Sequence, residues 1–159
     1  MPELPEVETI RRDLEEGIIG KTIVKIKVKK VKLVRNSLSV FKKNIIGSAI
    51  SSIDRIGKLL IFKVNSKYLL VHLKMTGQLI YCHESTLIAG GHANSKDESN
   101  KLHNASNELC QEGPYTHLVF EFENGAKLFY NDLRQFGYLQ LVDEKELTVV
   151  RSRYCIEHL

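Results

Sequence analysis

The stretch HLVFEFENGAKLFY, residues 117–130, predicts a β-hairpin. Aromatic and β-branched residues, which favour strands, lie on both sides of Asn124-Gly125. Asn-Gly is favoured in the two-residue turns that join antiparallel strands. We therefore expect residues 117–123 to pair with residues 126–130.

Further strand patterns precede this hairpin. Residues 22–29 alternate apolar side chains with lysines, which predicts a half-buried strand with a lysine face. Two longer strand-like stretches follow, residues 53–64 and 68–81, and residues 65–67 join them. Strands therefore dominate the chain.

Helical patterns flank the strands. Residues 5–18 carry apolar side chains at helical spacing, and residues 145–155 repeat that spacing near the other end. Ser37 is a candidate cap for a short helix that reaches Ile46 and closes at Gly47. The expected fold is mainly β (α+β), a β-sandwich of antiparallel strands flanked by an N-terminal helix and a second short helix.

Composition limits the possible classes. A chain of 159 residues with 43% hydrophobic content is expected to form one domain with a core. The net charge of +4 permits a polyanionic partner without identifying one. No apolar run approaches the roughly 20 residues needed to cross a bilayer, and the first residues are acidic where a signal peptide is basic. A cytoplasmic protein is expected.

The cysteines and histidines predict no metal centre. The three cysteines are odd in number and widely spaced, so reduced thiols are expected in place of a disulfide framework or a zinc site. Residues 82–114 are rich in small and polar side chains and predict a long surface loop. This loop carries His83, His92 and His103, but their spacing matches no known zinc-finger pattern.

The first residues carry the candidate chemistry. Pro2, Glu3 and Glu6 fit an ordinary helix start, because proline and acidic residues are favoured there. Removal of Met1, expected before a small residue, would also leave Pro2 with a free secondary amine. An α-amine titrates near 8 and lysine near ~10.4, so a terminal amine is more often neutral and nucleophilic at cellular pH.

Four separated segments resemble the formamidopyrimidine-DNA glycosylase family. These segments are MPELPEVET, RIGKLL, VHLKMTGQL and NDLRQFGYLQL, in that order along the chain. The resemblance implies a bifunctional DNA glycosylase/AP lyase that excises oxidised purines, such as 8-oxoguanine and formamidopyrimidines, from duplex DNA. In such enzymes the terminal proline attacks C1′ of the damaged nucleotide and forms an imine, and β- and δ-elimination then cut the strand.

The resemblance also assigns catalytic roles. Pro2 matches the nucleophile, and Glu3 matches an acid/base that protonates the opening sugar and moves protons during elimination. Burial beside apolar groups would help such a carboxyl to hold its proton. Lys58 matches a lysine that contacts phosphate and assists the chemistry, and Glu6 matches a second acidic residue that either supports the site or caps the helix.

Four further residues match DNA contacts of the family. His72 matches a histidine that contacts phosphate. Met75, Arg134 and Phe136 match residues inserted into the duplex when the lesion leaves the stack: a flexible filler, a donor set for the orphaned base and a wedge. Without the resemblance, the same three side chains would be read as a core methionine, a surface arginine and a core phenylalanine.

The resemblance covers residues 1–142 as a catalytic domain, with a probable insertion at 82–114 and the start of a helical C-terminal part at 143–159. The family's helix–two-turn–helix and zinc finger are missing from this sequence, so we expect no cofactor here and zinc only in that finger. A monomer that binds damaged double-stranded DNA in a bacterial cytoplasm is expected. The alternatives are an endonuclease VIII-type enzyme for oxidised pyrimidines, a non-catalytic damaged-DNA-binding module, and a basic β-domain that binds by charge alone.

Overall fold

Two antiparallel β-sheets form the fold in a computed structural model of the chain. The structure describes residues 3–83, 86–91 and 110–157. The predicted mainly β architecture with flanking helices is confirmed. Within these ranges, three α-helices and a short 3-10 helix accompany the sheets: α1 (Leu4–Ile18), the 3-10 helix (Val31–Leu33), α2 (Leu38–Ile45) and α3 (Glu144–Glu157).

The described strands are β1 (Ile23–Val28), β2 (Ile50–Ile56), β3 (Leu59–Val64), β4 (Lys67–His72), β5 (Gly77–His83), β6 (Thr86–Gly91), β7 (Thr116–Phe122), β8 (Lys127–Asp132) and β9 (Tyr138–Val142). The larger sheet has five strands in the order β1-β7-β8-β5-β6. The predicted hairpin is its β7–β8 pair, in which Leu118 faces Tyr130 and Gly125 takes a positive φ of 84° in the turn. The smaller sheet has the order β2-β3-β4-β9.

The main core lies between the two sheets and under α1. The helix contributes the apolar stripe that its sequence predicted, and α2 adds Phe41 and Ile45. A second cluster on the outer face of the smaller sheet packs against α3. The stripe of α1 consists of Val7, Ile10, Leu14 and Ile18.

A turn interrupts each of the two long strand-like stretches. Residues 53–64 turn back at Gly57–Lys58, and residues 68–81 pass from β4 of the smaller sheet to β5 of the larger sheet between His72 and Gly77. The lysine face of β1 is also interrupted, because a register shift between Ile23 and Lys25 leaves Val24 exposed. Each of the two turns lies where strands of the smaller sheet end.

Two expectations for residues 82–114 are wrong. Residues 86–91 form strand β6, paired along β5, in place of continuous loop. Cys82 and Cys110 form a disulfide, so the prediction of three reduced thiols fails, and only Cys155 is free among the described cysteines. Residues 92–109, with His92 and His103, lie outside the described residues.

Candidate active site

The N-terminus of α1 presents Glu3 at the helix cap position. The Glu3 backbone N–H donates to Glu6 Oε2 at 3.2 Å. Glu6 therefore satisfies a helix-end amide, which is the capping alternative foreseen for it. Pro2 lies outside the described residues.

Glu3 and Lys58 meet across two elements. Lys58 lies on the β2–β3 turn directly after Gly57, whose φ is 57°, and its Nζ is 3.7 Å from Glu3 Oε2. The Glu3 side chain is 69% exposed, so it is not in the apolar surroundings expected for a carboxyl that holds its proton. The pair, here called the Glu3–Lys58 corner, is open to solvent.

An ion-pair cluster anchors α1 to β2 behind this corner. Glu8 accepts hydrogen bonds from Arg11 on the same helix and from Arg55 on β2, and Arg11 also donates to the Ile53 carbonyl at 3.3 Å. The hydrogen bonds from Arg11 and Arg55 lower the pKa of Glu8 to about 2. This cluster anchors the helix that Glu3 caps.

His72 ends β4 in a buried position. It pairs with Tyr138 of β9, and the two rings stack with centroids 5.7 Å apart. Its Nδ1 accepts the Lys74 backbone N–H at 3.0 Å, so Nε2 carries the hydrogen of the neutral ring. Burial, and then the charges of Lys74, Lys58 and Arg35, lower the pKa of His72 to about 4. At neutral pH the side chain is an uncharged N–H donor within a positive environment.

The turn that carries Met75 has a constrained backbone. Lys74, just before Met75, has a φ of 52°, which is uncommon for a residue with a side chain. The Gly77 N–H donates to the Leu73 carbonyl at 2.8 Å, and a Cβ on Gly77 would lie 2.4 Å from that oxygen. Only glycine closes this turn so tightly.

The second turn, residues 133–136, is held by Asp132. Asp132 is fully buried, and each of its carboxylate oxygens accepts two hydrogen bonds. Such a group is stable in the interior only when its acceptors are satisfied. These interactions are here called the Asp132 network; the donors are Thr76 Oγ1 (2.6 Å) and Gln135 N–H (3.0 Å) to Oδ1, and Tyr130 Oη (2.8 Å) and Gly137 N–H (2.9 Å) to Oδ2.

Thr76 joins the two turns. Its hydroxyl donates to Asp132 and accepts the Arg134 backbone N–H at 2.9 Å. Gly137 closes the arrangement, because a Cβ there would lie 1.9 Å from Tyr130 Oη and 2.6 Å from the His72 carbonyl oxygen. The Met75 turn, the 133–136 turn and the end of β4 are therefore one packed unit.

The three predicted insertion residues all project outward. Met75 is 41% exposed and Phe136 is 53% exposed, which excludes the interpretation of either as a core residue. Arg134 is exposed too, and its guanidinium carbon lies 4.9 Å from the centroid of the Phe136 ring. Gln135, between them, has a φ of 59°. Strained backbone of this kind is concentrated at functional sites.

Sequence reasoning missed Asp132 and Thr76. A signal for Asp132 was present, because Leu128 and Tyr130 of the same strand point into the core and residue 132 shares their parity. An aspartate at an inward position must have several partners. Nothing comparable marked Thr76, whose two bonds reach residues 56 and 58 positions away.

Other sites receive less support from the structure. A cleft of about 340 Å³ on the larger sheet is lined by residues such as Lys25, Glu112 and Phe129, and by none of the predicted site residues. Within the described ranges, no group of three or more His, Cys, Asp or Glu side chains is placed to hold a metal. No helix in the same ranges has the length and apolarity to cross a membrane.

Comparison with known proteins supplies the family. The model of the formamidopyrimidine-DNA glycosylase N-terminal domain matches residues 1–139. Formamidopyrimidine-DNA glycosylases from Enterococcus faecalis and Pelotomaculum thermopropionicum are 33% and 38% identical over 92% and 89% of this chain. The alignments cover 44% of each relative.

Solved structures agree with this assignment. The Lactococcus lactis Fpg protein in complex with DNA containing an abasic site has a TM-score of 0.74 and 28% identity, covering 95% of this chain and 47% of that one. The same protein with DNA containing N7-benzyl-Fapy-dG has a TM-score of 0.75. The chain spans less than half the length of these relatives. The packed turns, the Glu3–Lys58 corner and these matches together show that the chain belongs to the formamidopyrimidine-DNA glycosylase N-terminal domain family.

Proposed function

We propose that this chain carries the catalytic domain of a bifunctional DNA glycosylase/AP lyase that excises oxidised purines from duplex DNA. The observation that carries the proposal is the Glu3–Lys58 corner, next in the fold to outward-facing turns that present Met75 and Phe136. Glu3 can act as an acid/base and Lys58 as a cation in a reaction on a sugar-phosphate. The exposed apolar side chains of Met75 and Phe136 can insert into a base stack.

The chemistry begins at Pro2. Its neutral secondary amine attacks C1′ of the damaged nucleotide, the bond from C1′ to the base breaks, and the base leaves with a proton. Opening of the sugar ring breaks the C1′–O4′ bond and leaves an iminium between C1′ and the Pro2 nitrogen. Loss of the C2′ proton then expels the 3′ phosphate, and a second elimination expels the 5′ phosphate.

Glu3 and Lys58 support these steps. Glu3 follows Pro2 directly in the chain, so its carboxyl is suited to protonate O4′ and to remove a proton during elimination. Lys58 Nζ, 3.7 Å from that carboxylate, is suited to bind the adjacent phosphate and to stabilise charge on the leaving group. Because the Glu3–Lys58 corner is open to solvent, a nucleotide can approach it.

The exposed turns serve to extrude the lesion. Flipping a nucleotide from the duplex costs a few kcal/mol, and inserted side chains offset part of that cost. Met75 suits the space left by the lesion, Phe136 suits a wedge between neighbouring bases, and the Arg134 guanidinium supplies donors for the unpaired base.

The partner is inferred from the relatives. The Lactococcus lactis Fpg protein was solved with DNA containing an abasic site and with DNA containing N7-benzyl-Fapy-dG, which supports damaged duplex DNA as the partner of this chain. We propose a monomer that acts in a bacterial cytoplasm, because the named relatives are bacterial. The proposed steps use only side chains and the terminal amine.

Borohydride trapping tests the proposal. The 159-residue protein, with removal of Met1 verified by mass spectrometry, is incubated with a duplex that contains one abasic site. We expect a covalent adduct that peptide mass mapping places on the Pro2 nitrogen and that is kept in Lys63→Ala, a change at an exposed lysine of β3. No adduct from the unsubstituted protein, despite measurable DNA binding, would favour the binding-module alternative.

Substrate choice separates the two enzyme alternatives. Duplexes with 8-oxoguanine or with an oxidised pyrimidine are compared under single-turnover conditions. Faster base release from 8-oxoguanine supports the proposed purine enzyme. Faster release of the pyrimidine would assign the chain to the endonuclease VIII type.

A further inference from the structure

We propose that Arg35 and Lys74, gathered around Tyr138 beside His72, form a further binding site for a backbone phosphate of DNA. The proposal rests on the proposed function for its partner, duplex DNA. It adds two cations to the contacts that the family resemblance implies.

The backbone at Arg35 is fixed by the edge of the smaller sheet. Val34 forms a parallel bridge with Leu139 of β9, and the Arg35 N–H donates to the Leu139 carbonyl at 2.9 Å. Asn36 then exchanges two side-chain hydrogen bonds with the Leu141 backbone, at 2.9 and 2.6 Å. The start of the Arg35 side chain is therefore held beside Tyr138.

The Arg35 guanidinium lies over the Tyr138 ring, with its central carbon 3.5 Å from the ring centroid. Stacking uses the face of the guanidinium and leaves the N–H groups at its rim available, and their fork geometry matches two oxygens of a phosphate. In the described part of the chain, Arg35 and Lys74 have no salt bridge to a carboxylate, whereas Arg11 and Arg55 both form salt bridges with Glu8.

Three cations converge on this edge. Lys74 Nζ lies 5.9 Å from the centroid of the Tyr138 ring, and the ring also stacks on His72. The charges of Lys74, Lys58 and Arg35 all act to lower the pKa of His72, so a positive potential exists at this side chain. Gathering like charges without a counter-ion costs free energy that a bound phosphate would recover.

The location also suits a phosphate near the lesion. Lys74 directly precedes Met75, and its N–H donates to His72 Nδ1 at 3.0 Å. The neutral His72 then offers its Nε2–H as a hydrogen-bond donor to an anion. The phosphate would lie next to the nucleotide that Met75 contacts.

The salt dependence of DNA affinity tests the proposal. The dissociation constant for a duplex with a non-cleavable abasic-site analogue is measured between about 50 and 200 mM salt for the 159-residue protein, Arg35→Ala and Arg35→Lys. Each phosphate contact contributes about 0.9 to the slope of log affinity against log salt, so we expect Arg35→Ala to be shallower by about that amount. Affinity should fall roughly five- to tenfold at the low-salt end, and Arg35→Lys should keep most of the slope.

Lys63→Ala is the matched control, since it removes one positive charge from the same sheet. Lys63 is exposed on β3, five positions from Lys58 and so roughly 17 Å along the strand. The slope of log affinity against log salt for Lys63→Ala should equal that of the unsubstituted protein. An unchanged slope in Arg35→Ala, with a lower melting temperature, would show that Arg35 only covers Tyr138 and would overturn the proposal.

The outcomes separate this proposal from the proposed function. A shallower slope without borohydride trapping supports the phosphate site and contradicts the glycosylase chemistry. Borohydride trapping together with an unchanged salt slope in Arg35→Ala supports the glycosylase chemistry and contradicts the phosphate site. Absence of any salt-dependent DNA binding by the unsubstituted protein would contradict the phosphate site directly.

Discussion

The Glu3–Lys58 corner and the Asp132 network lie in the same molecule but are built in opposite ways. At the corner, a single ion pair of 3.7 Å joins two side chains that solvent reaches. In the network, a fully buried carboxylate accepts four hydrogen bonds and joins two turns. Exposed ion pairs contribute little to stability, whereas satisfied buried networks contribute much.

The difference separates the two tasks of the proposed enzyme. Side chains that enter a base stack work best when their backbone is already ordered. No part of the free energy of DNA binding is then spent on ordering that backbone. Glu3 must instead exchange protons with a nucleotide, and an open position permits that. The chain is thus rigid where it is proposed to deform DNA and open where it is proposed to react.

The largest expected effect comes from Gly137→Ala, which disrupts the packed turns around the Asp132 network. A Cβ at this position would lie 1.9 Å from Tyr130 Oη and 2.6 Å from the His72 carbonyl, so both strand ends must move. We expect a loss of about 3 kcal/mol in the free energy of unfolding, at the upper end for overpacking. Urea denaturation measures it.

Gly113→Ala is the control for that substitution. A Cβ on Gly113 would meet nothing within 4 Å, so we expect a change within about 0.5 kcal/mol. Equal stability of the two variants would mean that the turn is not closely packed against β4 and β8.

Asp132→Asn is expected to have the next largest effect. The amide keeps one acceptor oxygen but presents an NH₂ group to one pair of donors, and the backbone N–H of Gly137 cannot reverse its role. We expect a cost of about 2 to 3 kcal/mol, typical of hydrogen bonds to a charged group. Hydrogen exchange should show faster opening at Arg134 and Gln135, whose amides the network holds.

Fluorescence of a 2-aminopurine placed opposite the lesion then reports on the same variant. A looser 133–136 turn should give less base unstacking at saturating protein. Unchanged unstacking together with faster exchange would show that the turn orders on DNA, and the contrast between the two regions would disappear.

The sequence predicted the regular elements better than the contacts that join them. The apolar stripe of α1 and the Asn124-Gly125 turn are local signals, and both are confirmed. The reversal at Gly57–Lys58 lies inside an apolar stretch whose periodicity does not mark where a strand turns back. The disulfide joins cysteines 28 residues apart, and spacing alone does not encode such a pairing.

Local motifs likewise predicted some residues of the candidate site and not others. Resemblance in short motifs located Lys58, His72, Met75 and Phe136, and the structure brings their elements to one edge. The positions of Thr76 and Arg35 depend on partners more than 50 residues away, which a local motif does not contain.

His72 lies between the Glu3–Lys58 corner and the packed turns, and the pH dependence of stability reports on its protonation. Its pKa is about 4 in the folded chain and 6.5 ordinarily, so the unfolded chain binds more protons between these values. Stability is therefore highest above pH 6.5 and falls as the pH drops toward 4. We expect His72 to contribute on the order of 2 kcal/mol to that fall.

His72→Asn isolates this contribution, because the Asn oxygen can still accept the Lys74 N–H. Urea midpoints at pH 7 and pH 4 are compared for both proteins, and the variant should lose less stability on acidification. Parallel pH profiles would show that His72 is not kept neutral by burial and the surrounding cations.

The smallest effect on stability is expected at the open corner. Lys58→Ala removes one partner of a partly exposed ion pair, so the free energy of unfolding should change by less than about 1 kcal/mol. The proposed reaction should nevertheless slow by about 10²-fold or more, because a cation beside the leaving phosphate stabilises charge that develops only in the transition state. Single-turnover strand cleavage measures the rate, and urea denaturation of the same sample measures the stability. A variant that loses several kcal/mol of stability would place Lys58 with the rigid framework, whereas a stable variant with unchanged cleavage would remove it from the chemistry and leave Glu3 to act without a neighbouring cation.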